Sequence, residues 1–313
     1  MNRRAATTTR RPAAKRGGRA WLRACCAAGA LLLAATAATA AVRVQDDLGQ
    51  SIELAAPARR VVSLAPHATE LMFAVGAGAQ LVGTEAYSDY PPEVARVPRI
   101  GNYDSIDLEA LLALRPDLVL AWHSGNGERL IARLRALGLT VFVSEPRRLA
   151  DIPTTMERLG RLTGHAAEAE AAAAAFRARH DALVRRYSSR PPLRVFYQIW
   201  DQPLMTVNGE HIISQVLGLC GGRNVFAALP PLVPTVDVEA VLAANPEAIV
   251  ASGADARRPE WLNEWKRWPS LTAVRRHNLI SVPPDLIQRH SPRILDGAQQ
   301  LCQELEQARG KRR

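Results

Sequence analysis

The chain has 313 residues and a mass of 34.1 kDa, with 48% hydrophobic and 22% charged residues. That is length enough for two ordinary domains, and the balance excludes disorder, collagen and a small disulfide-stapled scaffold. A net charge of +10 would point to nucleic acid if it were spread over the fold, but residues 1–40 hold eight Arg and Lys and no acid. Ten less eight leaves the rest of the chain near +2, most of it in Arg309–Arg313, so a nucleic-acid partner is excluded.

The first segment reads as an address. Its basic residues run into ACCAAGALLLAATAATAA, and the small-x-small sequence Ala38-Thr39-Ala40 precedes Ala41. This order predicts a cleaved secretory signal peptide over 1–40, hence export to the periplasm, in preference to a membrane anchor. Cys25 lies before the apolar run, with Arg23 just ahead of it, which argues against lipid attachment. Pro12-Ala13-Ala14 after Arg10-Arg11 departs from a twin-arginine signal. Removal of the segment leaves Cys220 and Cys302 in an oxidising compartment, and an even pair there predicts one disulfide. No Cys/His metal spacing occurs in the chain.

After a short hairpin expected over 41–58, RRVVSLA (Arg59 to Ala65) reads as an apolar strand, and Thr69–Gly78 as a helix ended by glycine. IDLEALLALRPDLVLA (residues 106–121) then finds a partner in VDVEAVLAANPEAIVA (residues 236–251). Asp107 matches Asp237, Glu109 matches Glu239, Pro116 matches Pro246 and Ala121 matches Ala251, all at one offset (237 less 107, or 130). Each copy predicts a helix capped by its aspartate, closed at its proline and followed by a buried strand, the alternation of a parallel sheet. An offset this long means two similar lobes and not a solenoid. Between them, residues 165–187 are rich in Ala, Glu and Arg without Pro or Gly. They predict one connecting helix roughly 33 Å long, with Phe176, Leu183 and Tyr187 on its packing stripe. The second lobe opens with the strand LRVFYQIW (Leu193 to Trp200) and the helix of His211–Gly222. The expected organisation is α/β: an N-terminal lobe over 59–164, a C-terminal lobe over 188–306 and a basic tail over 307–313.

Ligand sites in open α/β lobes lie beyond the carboxyl ends of the strands. The loops there hold His67, Tyr87, Tyr90, Tyr103, Trp122, His123, Tyr197, Trp200 and Asp201, and the last strand leads into PPDLIQRHSPR with Asp285, Arg289 and His290. Aromatics make up only 5% of the chain, so their concentration in these loops predicts a cleft for a large, flat, amphipathic ligand. His67, His123 and Asp285 would serve as an acid/base set, but no G-x-S-x-G, phosphate loop or zinc spacing accompanies them, and a binding protein is expected rather than an enzyme.

The motifs SLAPHATELMFAVGAG, AYSDYPP, DLEALLALRPDLVLAW, VFYQIWDQPLMTVNG, LCGGRNVF and SPRILDGAQQLC resemble those of the periplasmic cobalamin-binding proteins of ABC importers. These belong to the wider set of siderophore, haem and cobalamin receptors whose lobes are joined by one rigid helix. The resemblance covers about residues 59–305 and implies the helical-backbone type of periplasmic binding protein, with little closure on binding. It implies a corrin, carried as ligand and not as cofactor, lined by Tyr87, Tyr103 and Trp122 from the first lobe and by Trp200, Asp285 and Arg289 from the second. It further implies that Glu109 and Glu239 dock a monomeric receptor on the two-fold permease of a permease/ATPase complex. Val233 stands near a place where the family often has tryptophan, as does Tyr103, which leaves haem or an iron-siderophore chelate as the alternative ligand. His67 stands as a possible metal contact.

Overall fold

A computed structural model describes residues 7–9, 41–102, 105–253 and 257–312. The proposed signal peptide and Tyr103 lie outside the described residues, save for 7–9. The body runs from Ala41 onward and opens with an antiparallel hairpin of β1 (Val42–Gln45) and β2 (Ser51–Leu54), in which Val42 pairs with Leu54.

The first lobe is a parallel sheet of β3 (Val61–Ser63), β4 (Leu81–Thr84), β5 (Leu118–Trp122) and β6 (Val141–Ser144), in the order β4-β3-β5-β6. The second lobe is built from β7 (Leu193–Gln198), β8 (Gly222–Asn224), β9 (Ala248–Ala251) and β10 (Leu279–Ser281), in the order β8-β7-β9-β10 and again parallel. The two orders are one topology drawn twice. Burial on both faces explains why the strands read as near-continuous apolar runs.

The sequence repeat is a repeat of hydrogen bonds as well. Asp107 accepts from the Ala110 amide at 2.9 Å and Asp237 from the Ala240 amide at 2.7 Å, each capping its helix, Leu108–Ala113 or Val238–Ala244. Both helices lead into a left-handed residue ahead of the proline, Arg115 (φ 44) and Asn245 (φ 39). One residue past each proline an acid ties the repeat to the lobe's first strand: Asp117 accepts from the Arg60 amide at 2.9 Å, and Glu247 from the Arg194 amide at 3.1 Å.

The lobes are joined by the helix Ala166–Tyr187, which buries Ala169, Ala173, Phe176, Leu183 and Tyr187. It packs on the preceding helix, Asp151–Thr163, at Gly160, where a Cβ would stand 2.2 Å from that of Ala169, so only glycine permits the approach. One core cluster continues from Leu71 and Phe142 through Phe176 and Leu183 to Leu217 and Leu301. The connecting helix is therefore part of both cores. The helix near the start of the first lobe covers Pro66–Ala74, earlier than the predicted Thr69–Gly78, because Pro66 supplies the first helical φ and Gly76 (φ 81) takes the left-handed position that ends it. The final helix, Ile294–Gly310, runs past residue 306. Arg309 reaches the Pro191 and Cys220 carbonyls and Arg312 the Glu247 carboxylate, so the basic tail of the sequence reading is the docked end of that helix. Cys220 and Cys302 are joined by a disulfide, both fully buried.

Candidate functional site

The carboxyl ends of both sheets face one cleft. β5 ends at Trp122, whose backbone amide donates to Asn126 Oδ1 at 2.7 Å while Asn126 in turn donates to the Leu64 carbonyl, pinning the turn after the strand to its neighbour. β6 ends at Ser144, whose hydroxyl meets Nε2 of His67 at 3.0 Å. From the other lobe come Ile199 just past β7, His211 at the start of the helix Ile212–Leu219, and His290 beyond the short helix Pro284–Ile287. Trp122, Pro146, Ile199, His211, Val233 and His290 line a cavity of about 270 Å³ between the lobes.

The rings at and behind the cavity wall form a connected set. The His67 and His290 centroids are 5.9 Å apart, Trp122 stands edge-on to His67 at 5.5 Å and to His290 at 6.2 Å, and His211 is 6.5 Å from His290. Burial disfavours the charged ring, so His290 is pushed down to about 4; burial and the neighbouring His290 push His67 down to about 3 and His211 to about 4. All three are neutral at physiological pH. Nδ1 of His211 accepts the Ile213 amide at 3.1 Å and so caps its helix. The buried Nδ1 of His290 and Nε1 of Trp122 have no hydrogen-bond partner.

Beside the cavity the lobes are clasped by charge. Glu70, from the first lobe, accepts from Arg289 at 3.0 Å, Arg293 at 3.1 Å and Ser291 at 2.5 Å. Arg289 also bonds Asp89 at 2.6 Å and Asp285 at 2.8 Å, and Arg293 lies 3.8 Å over the Tyr90 ring. Burial alone would lower the Arg289 pKa, yet its bonds to Asp89 and Glu70 raise it above the ordinary guanidinium value. Burial likewise opposes the Asp89 charge, but Arg289 holds that carboxyl below its usual range.

Of the ligand residues named from the sequence, Trp122 lines the cavity and Trp200, Tyr87, Asp285 and Arg289 stand outside its lining. Trp200 is 45% exposed and donates its indole N–H to the Gln202 carbonyl at 3.1 Å. Tyr87 is 53% exposed. Arg289, assigned to ligand amides, is bonded to three carboxylates. His67 is 3% exposed and does not line the cavity. Ile199, His211, Gln288 and the loop Glu145–Arg147 also line the cavity without having been named from the sequence, although Ile199 adjoins Trp200 and Gln288 adjoins Arg289. His123 turns instead toward Glu128, 3.7 Å away, and among the described residues no group of three His, Cys, Asp or Glu is arranged to hold a metal ion.

Two parallel lobes, one shared cleft and a helix common to both cores agree with what sequence comparison finds. A family model described as periplasmic binding protein matches residues 61–286. The chain belongs to the periplasmic binding protein family. The family's members are substrate-binding proteins and not enzymes. A vitamin B12-binding protein of Vibrio cholerae serotype O1 is 38% identical over 247 residues, covering 79% of this chain and 88% of the relative. One of Photorhabdus laumondii is 39% identical over 246 residues, 79% and 87% of the two chains. The crystal structure of the periplasmic vitamin B12 binding protein BtuF of Vibrio cholerae superposes with a TM-score of 0.74 at 37% identity, over 81% of this chain and 98% of that one. The periplasmic heme-binding protein RhuT from Roseiflexus, at 23% identity with a TM-score of 0.71 over 80% of this chain and 98% of that one, shares the fold alone.

Proposed function

We propose that this periplasmic protein captures a cobalamin in the cleft between its lobes and delivers it to an inner-membrane ABC permease. The observation that carries the reading is 38% identity spread over 247 residues to a protein named for vitamin B12 binding, in a chain whose two sheets aim their carboxyl ends at one cavity with a tryptophan wall. Trp122 offers an aromatic face to the macrocycle, and Ile199 and Val233 extend the apolar wall. Arg289, between the lining residues Gln288 and His290, and Asp285, bonded to it at 2.8 Å, are placed to meet peripheral amides once the clasp loosens.

The cavity of about 270 Å³ falls just below the range of pockets for drug-sized ligands, which starts at about 300 Å³. A corrin is larger than that, and a more open pocket of about 830 Å³ that shares Glu145, Arg147 and Glu210 with the cavity extends the room on offer. The protein acts as a monomer, exported by a signal peptide over 1–40 that is removed before Ala41, and Glu109 and Glu239 meet the two permease subunits. Calorimetry of the purified protein with cyanocobalamin and with haemin tests the ligand: tight binding of cyanocobalamin alone is expected, and binding of haemin alone overturns the reading. The mass of the exported protein should correspond to a chain beginning at Ala41.

A further inference from the structure

Three neutral imidazoles crowd the centre of the cleft, and only one of them is uncommitted. His67 is turned to Ser144 and set behind the cavity wall. His211 uses Nδ1 to cap its helix, which fixes its proton on Nε2 and leaves it a donor. His290 lines the cavity, and its ring makes no hydrogen bond with any described residue; its Nδ1 is buried and orphaned. An unmade bond at a buried polar atom leaves its desolvation uncompensated, so such atoms are rare and call for a partner that arrives later. The environment also keeps the ring in the form whose lone pair is free. Among the described residues no group of three His, Cys, Asp or Glu is arranged to hold a metal ion, so the geometry fits a metal that brings its other ligands along.

Resting on the cobalamin reading above, we propose that His290 supplies an axial imidazole ligand to the cobalt of the bound corrin. Aquocobalamin carries a replaceable water on its exposed face. The cobalt–oxygen bond breaks, a cobalt–nitrogen bond forms from the imidazole lone pair, and the water leaves. No electron is transferred, and because the ring is neutral no proton has to move. Trp122, edge-on to His290, and His67 behind it hold the ring's position. The site therefore prefers corrinoids with a weakly held axial ligand over cyanocobalamin, whose cyanide does not yield.

Purified protein is titrated with aquocobalamin and with cyanocobalamin, following heat and visible absorption. The bound aquocobalamin spectrum is expected to become that of an imidazole complex, while the cyanocobalamin spectrum stays as it is. His290→Ala and His290→Asn are expected to abolish the change and weaken aquocobalamin binding about tenfold or more, a larger loss than the same variants cause for cyanocobalamin. His67→Gln and His211→Asn retain the change. Aquocobalamin that binds without a spectral change, binding of cyanocobalamin alone, or a change that survives both His290 variants overturns the axial ligand and leaves the cobalamin reading standing. If neither corrinoid binds the wild-type protein, both fall together.

Discussion

Glu70 and Arg289 meet at 3.0 Å across the cleft, one from each lobe, with the Glu70 side chain only 2% exposed. The carboxylate has Arg293 and Ser291 as further partners. Glu70→Ala leaves these groups unmatched in a buried setting, and breaking such a network from one side costs about 3 kcal/mol or more. Urea unfolding of the variant is expected to show that loss; an unchanged midpoint would mean that the lobes are held without the clasp.

Trp122 is the large aromatic face of the cavity wall. Trp122→Ala is expected to weaken cyanocobalamin binding by about 2 kcal/mol, the behaviour of an anchoring side chain, whereas the half-exposed Tyr87 loses less on replacement by alanine. Calorimetry decides, and unchanged affinity in both variants would put the ligand elsewhere.

The disulfide closes a loop of 82 positions. The chain-entropy account gives about 4 kcal/mol as its upper contribution. Thiol titration of the denatured, unreduced protein should find no free Cys220 or Cys302, and Cys302→Ser should melt lower. Two titratable thiols would contradict the bond.

The three cleft histidines make stability depend on pH in one direction. Folded, each stays neutral well below 6.5, to about 3 for His67 and about 4 for His211 and His290, while the unfolded rings protonate near 6.5. The unfolded chain thus binds more protons below that pH. Stability is full above 6.5 and falls as the pH drops toward 4, and further toward 3 for His67. Unfolding midpoints measured from pH 7 to 4 should fall less steeply in His67→Gln than in wild type; identical slopes would remove His67 from the account.

Glu109 and Glu239 occupy matching, exposed places in the first turns of the two repeated helices. Acids there favour the positive helix end, and as a pseudo-symmetric pair they suit a two-fold partner, where charge sets register and on-rate. The double alanine variant should keep its melting temperature within a degree or two, on the order expected for surface sites, and keep cobalamin affinity. Transport in vesicles carrying the permease should collapse. Uptake equal to wild type would return both acids to a purely helix-stabilising role.

Local chemistry written along the chain was enough to specify the architecture. The register shared by Asp107 and Asp237 gave away the duplication because a cap, a proline and a buried strand must each recur at fixed spacing. The connecting helix was legible in an uninterrupted run of strong helix formers, and the disulfide in a pair of cysteines exported to an oxidising compartment. Trp122 could be placed at the site because it ends a recognisable strand. The partners of Arg289 could not. Glu70 lies 219 positions away, and no periodicity links an acid on one lobe's first helix to a base after the other lobe's last strand. The same holds for the grouping of His67, His211 and His290, which are separate single residues along the chain until two sheets point their ends at each other. Secondary structure follows from interactions over three or four residues; the cleft follows from how two lobes are set by one helix buried in both, and only the packed molecule fixes that.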